Sequence, residues 1–160
     1  MKAALLSVHV LAVIVLVGPI TVAASVFPRY ARSAAASEDP SGAPGLPAAA
    51  AMHRITRAYA IPALAVPTFG IGLATAMHIL GQPWLIASIV LTVAAAFLLA
   101  VRIIPSQASL LQLLRANPAT ATGVTGRILR LLAMQTGIFA TLWVIVVVLM
   151  ITRPGSSTGV

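Results

Sequence analysis

The chain has 160 residues, of which 60% are apolar and only 8% charged, with a formal net charge of +8 and no cysteine. A water-facing domain of this size carries roughly 25% charged residues, so most of this surface must face something other than water. The absence of cysteine excludes disulfides, thiolate metal sites and thiol nucleophiles. The positive charge does not mark a nucleic-acid surface, because the basic residues lie between long apolar runs. Nine of the ten basic residues are arginine. With the abundance of Ala, Val, Leu and Pro, that usage reads as a high-GC bacterial composition.

A membrane-spanning helix needs about 20 mainly apolar residues. Four stretches meet that need, and together they predict one all-α membrane domain over 1–160. Span one runs from Ala4 to Phe27 and contains His9 as its only ionisable group. A cleaved signal peptide is the rival reading. Lys2 resembles an n-region and Val22-Ala23-Ala24 a cleavage site, but the apolar run exceeds the usual 7–15 residues. Ser33 to Ala51 is rich in Ala, Pro, Gly and Ser and holds both acids, Glu38 and Asp39. It reads as a flexible loop with too few large apolar residues to fold alone, either a linker or a partner-docking segment. His53, beside Arg54, reads as solvated.

Span two runs from Ala58 to Leu80 and includes Pro62 and Pro67. Span three runs from Trp84 to Ile104, and Pro105 is expected to stop it. Ser106 can then cap a short helix to Ala116, ended by Asn117-Pro118. Leu110, Leu111, Leu113 and Leu114 would give it a greasy side, with Gln107, Gln112 and Arg115 toward water. That is the pattern of a helix lying in the interface of the bilayer; the plainer view is an extension of span three. Span four runs from Leu131 to Ile151, followed by a tail over 152–160. None of the four shows the alternation of a barrel strand.

Arginine sets the orientation. Arg29, Arg32, Arg54 and Arg57 lie between spans one and two, and Arg102, Arg115, Arg127 and Arg130 between spans three and four. Only Lys2 and Arg153 lie on the other side. The positive-inside rule then makes both long loops cytoplasmic and both termini external. Tyr30 and Tyr59 would mark the inner boundary and Trp84 the outer one. The small residues Ala133, Gly137 and Thr141, Gly70 with Ala74, and Gly72 with Ala76 are candidate helix contacts. Gln135 and Thr136 are candidate hydrogen-bonding groups toward a neighbouring helix.

This topology brings His9 and His78 to a common depth near the outer face. Ionisable residues inside spans are functional suspects. Thr68, Thr75 and His78 fall near one stripe of span two, which is expected to face inward. Two neutral imidazoles could ligate haem iron, or copper with help from Met77 or Met150; they could also relay protons, or simply sit at the interface. No span holds Asp, Glu or Lys, which disfavours carboxylate-based proton transport. Hydrolysis of the serine–histidine type lacks an orienting acid. The expectation is therefore a non-catalytic bundle or accessory subunit, alone, as a homo-oligomer or beside a membrane-protein partner. The alternatives are a haem- or copper-handling protein using His9 and His78, or a small-solute transporter or channel.

The run from His9 to Gly18 followed by Arg29, and the run from Gly72 to Leu80 followed by Gln82-Pro83-Trp84-Leu85, resemble a bacterial family. That family comprises small four-helix integral membrane proteins of unknown function similar to the copper-resistance D (CopD) type of membrane domain. The resemblance rests on His9, Gly18, Pro83 and Trp84 and implies a multi-pass protein of the bacterial inner membrane. The opening helix is also similar to that of four-helix protoporphyrinogen oxidases. Those use an intramembrane lysine, which this chain lacks.

Overall fold

A computed structural model describes residues 2–37, 45–116 and 122–154. Among the described residues the chain is helical without strands, an all-α four-helix bundle. The helices are α1 (Lys2–Ala12), α2 (Gly18–Ala35), α3 (Gly45–Ala60), α4 (Ala65–Ala76), α5 (Pro83–Leu98), α6 (Ile104–Ala116) and α7 (Thr122–Thr152). They merge into four rods, Ala4–Ala35, Gly45–Ala76, Pro83–Ala116 and Val124–Thr152, each long and apolar enough to cross a membrane. A 32-residue rod is about 48 Å long at 1.5 Å per residue, against a hydrocarbon core of about 30 Å. Each rod therefore extends well past the stretch that apolarity alone marks.

Proline shapes the rods without ending them. A π-helical turn over Val13–Val17 precedes Pro19, and a second over Leu99–Ile103 precedes Pro105. Proline cannot donate to the carbonyl four residues back, and the wider turn makes room for its ring. In the second rod Pro62 instead opens a 3₁₀ turn, Pro62–Leu64, tighter than the helix on either side. Pro105 accordingly does not stop span three. The helix expected over 106–116 is present, but it continues the rod and packs within the bundle. Gln107, expected to face water, is fully buried, as are Leu110, Leu111 and Leu114.

The segment expected as a flexible loop over 33–51 is also corrected. α2 continues to Ala35 and α3 begins at Gly45, so only residues 38–44 of that stretch lie outside the described chain. Small side chains explain why this part folds. Ala31, Ala34 and Ala49 are all fully buried where α2 meets α3, and small residues let helix backbones approach closely. Phe27, Leu110, Leu114 and Leu132 complete that core. It marks one end of the bundle, here termed the loop end. The other, the turn end, carries the α4–α5 connection.

At the loop end α2, α3, α6 and α7 all pack together. At the turn end α1 packs on α4 and α5 packs on α7, while these two pairs make few close contacts with each other. Large apolar side chains face outward: Ile14, Val93, Phe97 and Val144 are each more than 60% exposed. Several hydroxyl groups in the rods are satisfied locally, whereas Thr125 Oγ1 is buried without a partner among the described residues. Thr21, Thr56, Thr75, Ser88 and Thr92 each donate to the carbonyl four residues earlier. Thr136 does likewise, to Leu132 at 3.0 Å, and does not reach a neighbouring helix.

Of the expected small-residue contacts, Gly70 and Ala74 pack inside the molecule. Gly72 and Gly137 have open space where a Cβ would lie, and Ala76, Ala133 and Thr141 are exposed. Trp84 is only 6% exposed, packed with Ala74, Leu85, Ile79 and Met150. It therefore faces the bundle, unlike a residue of an outward-facing aromatic belt. Ala23 and Ala24, at the cleavage-like stretch, are buried within α2.

Candidate functional site: a cavity at the turn end

The gap between the α1–α4 and α5–α7 pairs forms a cavity of about 270 Å³. Its walls are apolar side chains interrupted by a few polar groups: His9, Ser88, Thr92, Arg153 and the two tryptophans. His9 enters from α1 and is 6% exposed. It lies flat against α4 because residue 70 is glycine: a Cβ there would stand 3.0 Å from His9 Cε1. Its Nδ1 has no hydrogen-bond partner among the described residues. The indole N–H groups of Trp84 and Trp143 also lack acceptors, although both rings line this cavity.

Arg153 closes the outer corner. It ends α7 in the left-handed conformation at φ 42°, and its N–H bonds the Leu149 carbonyl at 3.0 Å. That turn brings the guanidinium 5.9 Å from the Trp84 ring centroid, within the range of a cation–π contact. The first turn of α5 and the last of α7 are thereby joined over the cavity.

The two candidate histidines do not share this space. His9, Met77 and Met150 line it, but His78 does not. His78 is exposed and follows the end of α4 with φ 56°. Its N–H bonds the Thr75 carbonyl at 3.1 Å, and the Ile79 N–H bonds the Ala74 carbonyl at 3.1 Å. This is a Schellman-type helix end, in which the residue after the C-cap turns left-handed. His78 thus points by a rule different from that of the helix before it. Thr68 and Thr75 are exposed too, so the stripe expected to face inward faces out.

That geometry makes a prediction. His78→Gly should leave thermal stability unchanged or raise it slightly, because glycine meets no Cβ penalty at positive φ. His78→Val should cost about 1–2 kcal/mol. Melting curves of the two purified variants check this; equal losses for both would mean that the imidazole itself holds the turn.

The sequence pointed to His9 and the methionines but not to Trp143 or to the cavity role of Arg153. Arg153 stands one turn past span four and Trp84 in the first turn of span three, so their shared depth was available. Trp143 lies mid-span, and only its buried, unpartnered N–H singles it out. His53 differs from expectation: its Nδ1–H donates to Gln107 Oε1 at 3.1 Å, joining α3 to α6. Gln135 Oε1 is buried without a partner among the described residues. Those residues also hold no group of three or more His, Cys, Asp or Glu placed to share a metal ion. The chain matches no family model, no curated protein and no solved structure.

Proposed function

We propose that this chain is a non-catalytic, multi-pass binding or accessory protein of the bacterial inner membrane, with both termini outside and its turn-end cavity as the working site. The observation that carries the reading is that His9, Trp84 and Trp143, each with a ring nitrogen buried without a partner, all line one apolar cavity. Buried polar groups in native proteins are nearly always hydrogen-bonded. Indoles only donate, so the matching ligand is an apolar molecule with acceptor oxygens. A cavity of about 270 Å³ lies just below the roughly 300–1,000 Å³ typical of drug-sized ligands, which favours one ring or one chain. The lone imidazole, with no acid on any span, supports binding over catalysis. The arginine asymmetry supports the orientation.

Solvent extraction and mass spectrometry of protein purified in mild detergent test the reading. One apolar, oxygen-bearing compound should co-purify near one per chain. It should be lost from Gly70→Leu, whose side chain displaces His9, and kept by Gly72→Leu, which points into open space. Equal retention by both variants, or nothing bound to the parent protein, would defeat the proposal.

Copper handling is the second reading, and it changes its ligand set. His9, Met77 and Met150 line the same cavity, and an imidazole with two thioethers suits Cu(I). The resemblance to CopD-type domains points the same way. Elemental analysis after Cu(I) loading decides it: one copper per chain, lost in Met77→Leu with Met150→Leu, is the expected result. Haem held between His9 and His78 has no comparable support, because His78 does not line the cavity; absence of a Soret band after haem addition would close that reading.

A further inference from the structure

A second cavity, of about 640 Å³, lies toward the loop end between α3 and α6. It is as basic as the first is apolar: His53, Arg54, Arg57 and Arg115 line it, with Gln112 and Leu111. Helical spacing makes this convergence. Arg54 and Arg57 are three residues apart on α3, and Gln112 and Arg115 three apart on α6, so each pair shares a face. The described residues include no Asp or Glu, and the whole chain has two. Three guanidinium groups in one cavity repel each other unless an anion joins them. His53 is held in place through its bond to Gln107, which leaves Nε2 outside that bond.

The cavity does not stop at the charges. Arg57 and Ile61 also line an adjoining cavity of about 360 Å³. Its remaining walls are almost entirely apolar and include Val17, Leu99, Phe139 and Trp143. Arg57 and Ile61 thus belong to the walls of both a basic chamber and an apolar one. That is the shape of an amphiphile with an anionic head and a hydrocarbon tail.

We infer that this paired cavity is a specific site for an anionic glycerophospholipid of the loop-side leaflet. Arg54, Arg57 and Arg115 bind its phosphate oxygens, and one acyl chain passes Ile61 into the apolar chamber. Guanidinium forks match phosphate oxygens bidentately, and basic pockets between spanning helices suit such head groups. The inference rests on the membrane-spanning part of the proposed function but not on its turn-end ligand.

The test uses the full chain in mild detergent, with native mass spectrometry and melting curves read together. The probes are long-chain phosphatidylglycerol, its dihexanoyl analogue, long-chain phosphatidylcholine and free glycerol phosphate. Long-chain phosphatidylglycerol should bind one per chain and raise the melting temperature. It should bind at least ten-fold more tightly than the other three. The triple variant Arg54→Gln, Arg57→Gln, Arg115→Gln should lose that affinity ten-fold or more. The equally discharged control Arg29→Gln, Arg127→Gln, Arg130→Gln, whose residues do not line the cavity, should keep it. Equal loss in both triples would reduce the effect to general surface charge and overturn the site. Glycerol phosphate binding as well as the lipid would make it a soluble-anion site and overturn the lipid. No preference for phosphatidylglycerol over phosphatidylcholine would overturn both. Insertion of the same preparation into nanodiscs, scored by protease protection, reports separately whether the chain spans a bilayer.

Discussion

Gly45→Ala is expected to destabilise the protein by about 3 kcal/mol, at the upper end of overpacking changes. Gly45 begins α3 where it crosses α2, and it is buried. A Cβ there would stand 2.6 Å from the Tyr30 carbonyl oxygen and 2.7 Å from the Ala34 backbone nitrogen. Both obstacles are backbone, so no rotamer change can relieve the clash; the two helices must separate. The α2–α3 packing is the most extensive in the molecule, and Ala31, Ala34 and Ala49 would all lose contact. A loss of this size corresponds to about 6–12 °C in melting temperature for a chain of this length. Gly72→Ala is the control. It has nothing within 4 Å, and alanine is the better helix former by up to about 1 kcal/mol, so its melting temperature should stay level or rise. A Gly45→Ala protein that melts with the parent would mean that α2 and α3 do not meet in this way.

Phe27→Ala carries the second large effect, about 3 kcal/mol. The ring is fully buried at the loop end, among Ala31, Leu110, Leu114 and Leu132. Phenylalanine-to-alanine changes in protein cores cost about 3–5 kcal/mol. The lower figure follows from the proposed membrane-spanning reading, under which the deleted ring loses packing contacts more than it loses transfer out of water. Phe97→Ala supplies the contrast. Phe97 is 63% exposed, so its removal should change stability by less than about 0.5 kcal/mol. Chemical denaturation in mixed micelles measures both. Similar losses at the two positions would show that burial inside the bundle does not decide the cost.

The packing of α2 against α3 around Gly45 was poorly legible in the residues. The stretch around Gly45 is rich in Ala, Pro and Gly, the composition of a linker. The same small residues, placed at helical spacing, allow close helix packing; composition does not distinguish the two uses, and a neighbouring helix does. Gln107 shows the converse. On an isolated amphipathic helix a glutamine belongs on the wet side, but here His53 offers it a partner inside the bundle, and it is buried.

Arginine placement along the chain bears on orientation, but which arginines share a cavity depends on how α3 and α6 pack. Arg54, Arg57 and Arg115 meet there, whereas Arg29, Arg127 and Arg130 do not. The histidines divide in a similar way. His9 and His78 both lie toward the turn end. Their directions do not agree. His9 lies within a helix and is turned onto Gly70, while His78 lies one residue beyond a C-cap, where φ changes sign and the helical phase is lost.

Local sequence therefore determined that there are four apolar helices and where the apolar stretch of each lies, but not how far each rod extends beyond it. Length, apolarity and backbone hydrogen bonding within a segment are properties of that segment alone. Tertiary packing decided which faces meet, that the third rod runs on past Pro105, and that one histidine enters a cavity while the other caps a helix. Those outcomes depend on the rotation of each rod about its own axis. That rotation is set by steric fit against another rod, through residues such as Gly45, Gly70 and Phe27 that are far apart in the chain.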